Sequence, residues 1–144
     1  MADSYVDSSS PTATHGTATT LRVDASPTVD SYLRFNVAGL SGNVTSATLR
    51  IYANSAQSTG YDVYGVADTT WSESALNWSN APAFGSKIGS SGAVSSGTWT
   101  SVNVTAYITG NGTYSLGLST TNSTALSLAS RESTNPPQLI IATS

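Results

Sequence analysis

The stretch that decides the fold is Ala47-Thr48-Leu49-Arg50-Ile51-Tyr52-Ala53-Asn54, in which small or aliphatic side chains alternate with polar or aromatic ones. Successive side chains of a β-strand point to opposite faces of the sheet, so a period of two predicts a half-buried strand. The face that we expect to line the core carries Ala47, Leu49, Ile51 and Ala53. The opposite face should look away from the core.

Nine further segments show the same signal, as short runs rich in β-forming residues between clusters of Gly, Ser, Asn and Pro. These strands are predicted over residues 4–6, 21–25, 32–37, 61–66, 87–90, 98–104, 114–120, 125–130 and 138–142. Alternation adds to the predicted core Leu21, Val23, Ala25, Leu33, Phe35, Val37, Leu116, Leu118, Leu126 and Leu128. Ten short strands without helices must pack one sheet on another, which predicts an antiparallel, jelly-roll-like β-sandwich.

Composition indicates the class of protein. The chain has 144 residues, which fits a single domain over residues 1–144. Ser and Thr occupy 47 positions, 9% of residues are charged and cysteine is absent. Thr favours strands and Ser favours turns, and a disulfide-free β-protein is compatible with a bacterial extracellular origin. This composition leads us to expect a secreted, extracellular protein. Because the first residues form neither a basic nor an apolar leader, we expect the chain to be a module taken from a longer protein.

The charge balance argues against two classes of partner. The formal net charge is −3 with five basic residues, which gives no broad positive field for nucleic acid or for an anionic membrane surface. No apolar run approaches the length needed to span a membrane. We therefore expect neither nucleic acid nor membrane as a partner.

Few residues could support catalysis. No thiol is available, and the single histidine, His15, lies in a loop with Asp7 as its nearest upstream acid and no nucleophile elbow. Asp68 and Glu73 could supply the two carboxylates of a glycoside hydrolase. Because Glu73 lies between two tryptophans, we expect it instead to fix the long loop of residues 68–86 by hydrogen bonding. The sequence therefore predicts a protein that is not an enzyme.

This interpretation requires no cofactor, but the sequence does not decide whether the protein binds a structural calcium ion. Calcium takes clustered oxygen ligands. The aspartates are scattered along the chain without the regular spacing of a dedicated calcium loop. They are Asp3, Asp7, Asp24, Asp30, Asp62 and Asp68. A sandwich can still assemble such a site from distant loops, so the sequence assigns no metal ligand.

Three arginines form the main candidate binding set. Arg22, Arg34 and Arg50 each lie between two core-facing residues of a predicted strand, so their side chains should point outward. If these strands are neighbours, the arginines form one stripe on an open sheet face, with Tyr32 or Tyr52 at its ends. Guanidinium forks bind carboxylates bidentately, and tyrosine rings stack on sugars. The alternative is a solvated face on which the arginines pair with Asp24, Asp30 or Asp62.

The three tryptophans fall into two groups. Trp71 and Trp78 lie in the long loop, where we expect them to pin the loop onto the sandwich. Trp99 has the strand parity of Ser101 and Asn103, which predicts an exposed ring. An exposed indole is a candidate platform for stacking on a glycan.

Several segments, taken in order, resemble one family of extracellular domains. They are Asp3-Ser4-Tyr5-Val6, Gly16 followed by Leu21-Arg22-Val23, Tyr32-Leu33-Arg34-Phe35, Ala47-Thr48-Leu49-Arg50-Ile51-Tyr52, Trp71-Ser72-Glu73 with Trp78 and Asn80-Ala81-Pro82, and Ser130-Arg131-Glu132 before Pro137-Gln138-Leu139. Across nearly its whole length the chain resembles the DNRLRE-type (disaggregatase-related) domains. These are grouped with an alginate-binding family of carbohydrate-binding modules found beside polysaccharide lyases and glycoside hydrolases.

The resemblance implies a β-jelly-roll attached to a catalytic or surface-anchoring domain. Where binding has been assigned in such domains, cationic side chains on the early strands hold uronate carboxylates, and Arg22 and Arg34 fall in that region. The chain differs from its alginate-binding relatives in having Lys87 as its only lysine. It also has His15 where an aromatic residue is expected before Gly16.

The leading hypothesis is a non-catalytic carbohydrate-binding module that tethers a secreted polysaccharide-degrading enzyme to polysaccharide, with alginate or another uronate polymer as ligand. The expected site residues are Arg22, Arg34, Arg50, Tyr32, Tyr52 and Trp99. The alternative is a structural or adhesive spacer module of the cell surface that binds no glycan. An enzyme acting through Asp68 and Glu73 is a third, less favoured hypothesis.

Overall fold

The computed structural model describes all 144 residues, Met1–Ser144, and contains ten β-strands and no helix. The strands are β1 (Ala2–Asp7), β2 (Thr20–Ala25), β3 (Thr28–Val37), β4 (Val44–Ala53), β5 (Asp62–Val66), β6 (Lys87–Ser90), β7 (Thr98–Asn103), β8 (Gly112–Ser119), β9 (Leu126–Ala129) and β10 (Gln138–Thr143). All ten predicted strands are present. The largest difference is at β3, which begins at Thr28 rather than at residue 32. No helix in the chain has the length and apolarity needed to cross a membrane.

The strands form two antiparallel sheets. The front sheet has the order β1-β3-β8-β5-β6. In the back sheet β4 pairs with β7 along one edge and with β10 and β9 along the other, and β9 pairs with β2. β2 connects the sheets, because its first residues pair with β9 and its last two pair with β3. This is the predicted jelly-roll-like antiparallel β-sandwich.

The inner faces of the two sheets bury one apolar core. Its largest side chains include Leu21, Leu33, Leu49, Ile51, Leu116 and Leu128, all without measurable exposure. Every predicted core residue is buried except Ala25, which is half-buried beside the turn between β2 and β3. Alternation assigned the faces correctly because the strand residues in this core all share the inward parity of their strand.

A second apolar cluster lies on the outer face of the front sheet, beneath the loop of residues 67–86. Trp71 is 7% exposed, and its Nε1–H donates to Ser115 Oγ at 2.7 Å. The ring of Phe84 lies over Gly117, where any Cβ would overlap it. Trp71 therefore pins the loop onto the sandwich as predicted, and half-buried Trp78 packs against the same cluster.

The outer face of the back sheet is open by comparison. Ser101 and Asn103 of β7 and Ile140 of β10 are exposed there. Because the 67–86 loop covers the front sheet, the back sheet presents the broader accessible surface.

Candidate functional site

Four side chains on the outer face of the back sheet form what we call the Arg50 face: Arg50, Tyr52, Trp99 and Gln138. Strand register places them together, because Trp99 of β7 lies directly opposite Tyr52 of β4, and Gln138 of β10 lies opposite Arg50. The Arg50 Cζ is 4.8 Å from the centroid of the Trp99 ring. Tyr52 meets Trp99 edge to face, with ring centroids 5.5 Å apart. Trp99 is therefore half-buried rather than exposed as predicted, because Arg50 and Tyr52 cover part of its ring.

Stacking on the indole orients the Arg50 guanidinium. Arg50 Nη1 donates to Gln138 Oε1 at 3.3 Å, which leaves its other N–H donors available at the edge of the guanidinium plane. A guanidinium held over the ring in this way presents a fork that a carboxylate accepts bidentately. The geometry thus suits a planar anionic group that approaches along the sheet surface.

No acidic side chain on the strands around Arg50 opposes this charge. Strands β4, β7, β9 and β10 contain neither Asp nor Glu. Arg50 makes no ion pair, whereas Lys87 and Arg131 both do. The Arg50 face therefore carries a local positive charge on a chain whose net charge is −3.

Arg22 lies on the outer face of the same sheet, but β9 separates β2 from β4. Its neighbour across the ladder is Ser127 of β9. Its guanidinium makes no ion pair. The pKa of Asp7 is lowered chiefly by the hydrogen bond from the Ser9 hydroxyl, and the Arg22 charge contributes in the same direction. Arg22 is thus a separate positive group on the face that bears Arg50.

Arg34 and Tyr32 lie on the front sheet, under the 67–86 loop. The Arg34 Cζ is 4.6 Å from the centroid of the Trp71 ring, and Arg34 Nη1 donates to the Trp71 carbonyl. Tyr32 is 4% exposed, and its hydroxyl donates to the Pro82 carbonyl at 2.6 Å. Burial raises the pKa of Tyr32. Tyr32 therefore holds the loop in place and offers no open ring face for stacking.

Arg34 also lines a polar cleft beside the loop. The cleft is bounded by Met1, Arg34, Asn36, Thr69, Thr70, Trp71 and Thr113. Arg34 makes no ion pair, so a second anionic group could be held here by its guanidinium among hydroxyl and amide groups. This cleft and the Arg50 face lie on opposite sheets of the sandwich.

The predicted single stripe of arginines is therefore wrong, although all three side chains point away from the core as predicted. Arg34 is on the front sheet, whereas Arg22 and Arg50 are on the back sheet. The physical reason is the jelly-roll connectivity, which places β3 and β4 in different sheets although they follow one another in sequence. The alternative of simple ion pairs is also wrong, because neither Asp24 nor Asp30 forms one and Asp62 pairs with Lys87.

Glu73 anchors the 67–86 loop, as predicted. Its Oε1 accepts hydrogen bonds from the Asp3 N–H and from Arg131 Nε, both at 3.0 Å, and its Oε2 accepts from Arg131 Nη2 at 2.5 Å. Burial acts to raise the pKa of Glu73, but these hydrogen bonds hold it below its usual value. Asp68 accepts from both the N–H and the hydroxyl of Thr70 at 2.7 Å. Both carboxylates are thus engaged in hydrogen bonds that hold the structure of the loop.

His15 packs against an aromatic ring. It stacks on Tyr5 with centroids 4.0 Å apart and an interplanar angle of 11°. Burial lowers the pKa of His15, which favours the neutral ring. The next residue, Gly16, passes so close to the Glu73 carbonyl that any Cβ would overlap it. His15 thus supplies the ring that the family pattern led us to expect before Gly16.

Sequence reasoning missed the partner of Arg50 and the partner of Glu73. Gln138 and Arg50 are 88 residues apart in the chain, and Arg131 and Glu73 are 58 apart. The Ser130-Arg131-Glu132 motif was a signal of the contact between Arg131 and Glu73. The motif does not specify this contact, because the two residues are far apart in sequence.

A β-sandwich with one loop-covered sheet, and one open sheet that carries an unpaired arginine among aromatic rings, fits a glycan-recognition module. Residues 1–143 match the family model of Carbohydrate-binding module family 96, and the chain belongs to this family. Membership makes the protein a carbohydrate-binding module, a class that is generally non-catalytic, and implies polysaccharide as partner and a multidomain parent. None of the curated proteins matches the chain.

Proposed function

We propose that this module binds a uronate polysaccharide such as alginate through the Arg50 face. The uronate carboxylate takes the guanidinium fork of Arg50, while the sugar ring contacts Tyr52 and the accessible part of Trp99. Arg22, on the same sheet surface, meets a second carboxylate farther along the polymer. The module thereby tethers a secreted bacterial enzyme to its substrate and raises the local substrate concentration.

The observation that carries this proposal is the unpaired, stacked Arg50 on strands that have no acidic residue. A hydrogen bond to a charged group contributes about 1.5–3 kcal/mol, and stacking on Trp99 reduces the ordering that the guanidinium must undergo on binding. Since few charges take part, we expect a Kd of about 10 µM to 1 mM.

Native affinity electrophoresis tests the ligand. The protein is run through gels that contain alginate, pectin, xylan, β-glucan or chitosan, each with calcium and with chelator. We expect retardation by alginate or pectin that weakens as salt rises from about 50 to about 500 mM, because salt screens exposed charges.

Variants at Arg50 test the site. Arg50→Ala should weaken uronate binding about tenfold, which corresponds to about 1.4 kcal/mol. Arg50→Lys keeps the charge but removes the planar fork. Its affinity should therefore lie between that of wild type and that of Arg50→Ala. Lys87→Gln is the matched control, because it removes the same charge from β6 of the other sheet, and its affinity should stay within about twofold of wild type.

Two outcomes would contradict the proposal. Retardation by β-glucan or xylan that resists salt, survives Arg50→Ala and is lost in Trp99→Ala would identify a neutral glycan that binds by stacking. Absence of retardation in every gel, with a folded protein, would favour a spacer module of the cell surface.

A further inference from the structure

Three carboxylates meet where the 67–86 loop contacts the start of the chain. One oxygen from each of Asp3, Glu73 and Glu132 lies within 4.8 Å of the corresponding oxygens of the other two. Asp3 belongs to β1, Glu73 to the loop, and Glu132 to the connection between β9 and β10. The cluster therefore joins three segments that are far apart in sequence.

One cation of the protein reaches this cluster. Arg131 Nη2 lies 2.5 Å from Glu73 Oε2 and 3.2 Å from Glu132 Oε1. Three negative charges thus face one guanidinium, which leaves two negative charges uncompensated. Glu132 Oε2 accepts from the Ser130 hydroxyl at 3.2 Å, a neutral contact that does not change this balance.

A separate observation concerns the hydrogen bonding of Asp3. This residue is 1% exposed, and while its Oδ2 accepts from the Arg131 N–H at 2.9 Å, no donor of the protein reaches its buried Oδ1. Buried polar atoms nearly always have a partner, and a buried carboxylate without one is costly.

We propose that Asp3, Glu73 and Glu132 bind a calcium ion that links β1, the 67–86 loop and the β9–β10 connection. Calcium takes hard oxygen ligands at about 2.3–2.6 Å, so oxygens on opposite sides of one ion lie about 5 Å apart, as the cluster allows. The two positive charges of calcium balance the two negative charges that Arg131 leaves uncompensated. Asp3 Oδ1, which has both lone pairs unused, is the ligand that the protein leaves most available.

The donor set argues against other common metals. Zinc prefers histidine and cysteine, and the cluster contains neither. Magnesium requires near-octahedral geometry at about 2.0–2.1 Å and gives up its waters reluctantly, so it is seldom held by a cluster of protein carboxylates alone. Arg131 can remain in place, because each carboxylate oxygen has more than one lone pair.

Calorimetric titration and thermal unfolding test the proposal on the full chain after treatment with EDTA, without polysaccharide. We expect one calcium site with a Kd of about 0.1–1 mM, the range of extracellular modules. At about 10 mM calcium chloride the Tm should rise by about 3–8 °C, and equimolar magnesium chloride should give a clearly smaller shift. No heat and no Tm shift with calcium, or an equal shift with both salts, would overturn the proposal.

Variants at the proposed ligands distinguish a specific calcium site from a general effect of salt on stability. Asp3→Asn and Glu132→Gln should each weaken calcium binding at least about tenfold, since each removes a charged ligand. Asp3→Asn should remain folded in EDTA, because it removes an uncompensated buried charge, so its loss of response cannot be attributed to unfolding. Asp68→Asn, an exposed acid of the same loop, is the matched control and should respond like wild type. Wild-type calcium affinity in both ligand variants would refute the assignment.

Discussion

Asp30→Asn should make this protein more stable at neutral pH and leave it nearly unchanged in acid. Asp30 lies on the outer face of β3, in a cleft that also contains Tyr32, Trp78, Pro82 and Phe84. Its carboxylate belongs to none of the ion pairs and accepts none of the side-chain hydrogen bonds of the structure. Burial raises its pKa from 3.8 to about 6.

The direction of the pH effect follows from that raised pKa. Between about pH 4 and about pH 6 the folded state holds a proton that the unfolded state has lost, so stability falls as the pH rises through this interval. A shift of about two units corresponds to at most about 3 kcal/mol. Because Asp30 is only partly buried, solvent screening reduces the expected penalty above pH 6 to about 1–2 kcal/mol.

Urea unfolding of wild type and Asp30→Asn at about pH 3.5 and about pH 7.5, in chelator, measures this difference. At the higher pH the variant should gain about 1–2 kcal/mol, and at the lower pH the two proteins should agree within about 0.5 kcal/mol. Titration of every other group occurs in both proteins and largely cancels from the comparison. A difference that does not change with pH, or a less stable variant at neutral pH, would refute the reasoning.

Two further predictions concern the packing of the 67–86 loop. Trp71→Phe keeps an aromatic ring but removes the indole donor, which leaves the buried Ser115 hydroxyl without this partner. Urea unfolding should therefore show a free energy of unfolding lower by about 1–3 kcal/mol. The affinity for the polysaccharide should stay unchanged. Gly117→Ala should cost about 1–3 kcal/mol because its Cβ would overlap the Phe84 ring. In a Phe84→Ala background the same substitution should cost less than about 0.5 kcal/mol, and an equal cost in both backgrounds would show that the ring is not the cause.

The strands were predictable from sequence because each is encoded locally. The alternation in segments such as residues 47–54 and 32–37 has to match the two faces of a sheet, and turn residues mark where each strand ends. The start of β3 was missed because Thr28 and Val29 become strand by pairing with β2 across a hairpin. Register with a partner strand, rather than local composition, decided those residues.

The candidate site shows where local reasoning stops. Parity correctly predicted that Arg22, Arg34 and Arg50 point outward, since it depends only on the flanking core residues. Which arginines share a surface depends on the order of strands within the sheets, and strand order is set by contacts between residues distant in sequence. The stacking of Arg50 on Trp99 likewise requires β4 to pair with β7, which nothing in either strand specifies.

Four residues from the motifs of the family resemblance act in the architecture rather than on the Arg50 face. Asp3, Trp71, Glu73 and Arg131 tie the start of the chain and the 67–86 loop to the sandwich through hydrogen bonds, an ion pair and buried aromatic packing. The Arg50 face shares no side-chain contact with this set, because it lies on the opposite sheet. Substitutions on that face should therefore alter the proposed binding without disturbing the fold. A match to the family consequently identifies a carbohydrate-binding module, whereas the choice of polysaccharide has to be tested at Arg50, Tyr52 and Trp99.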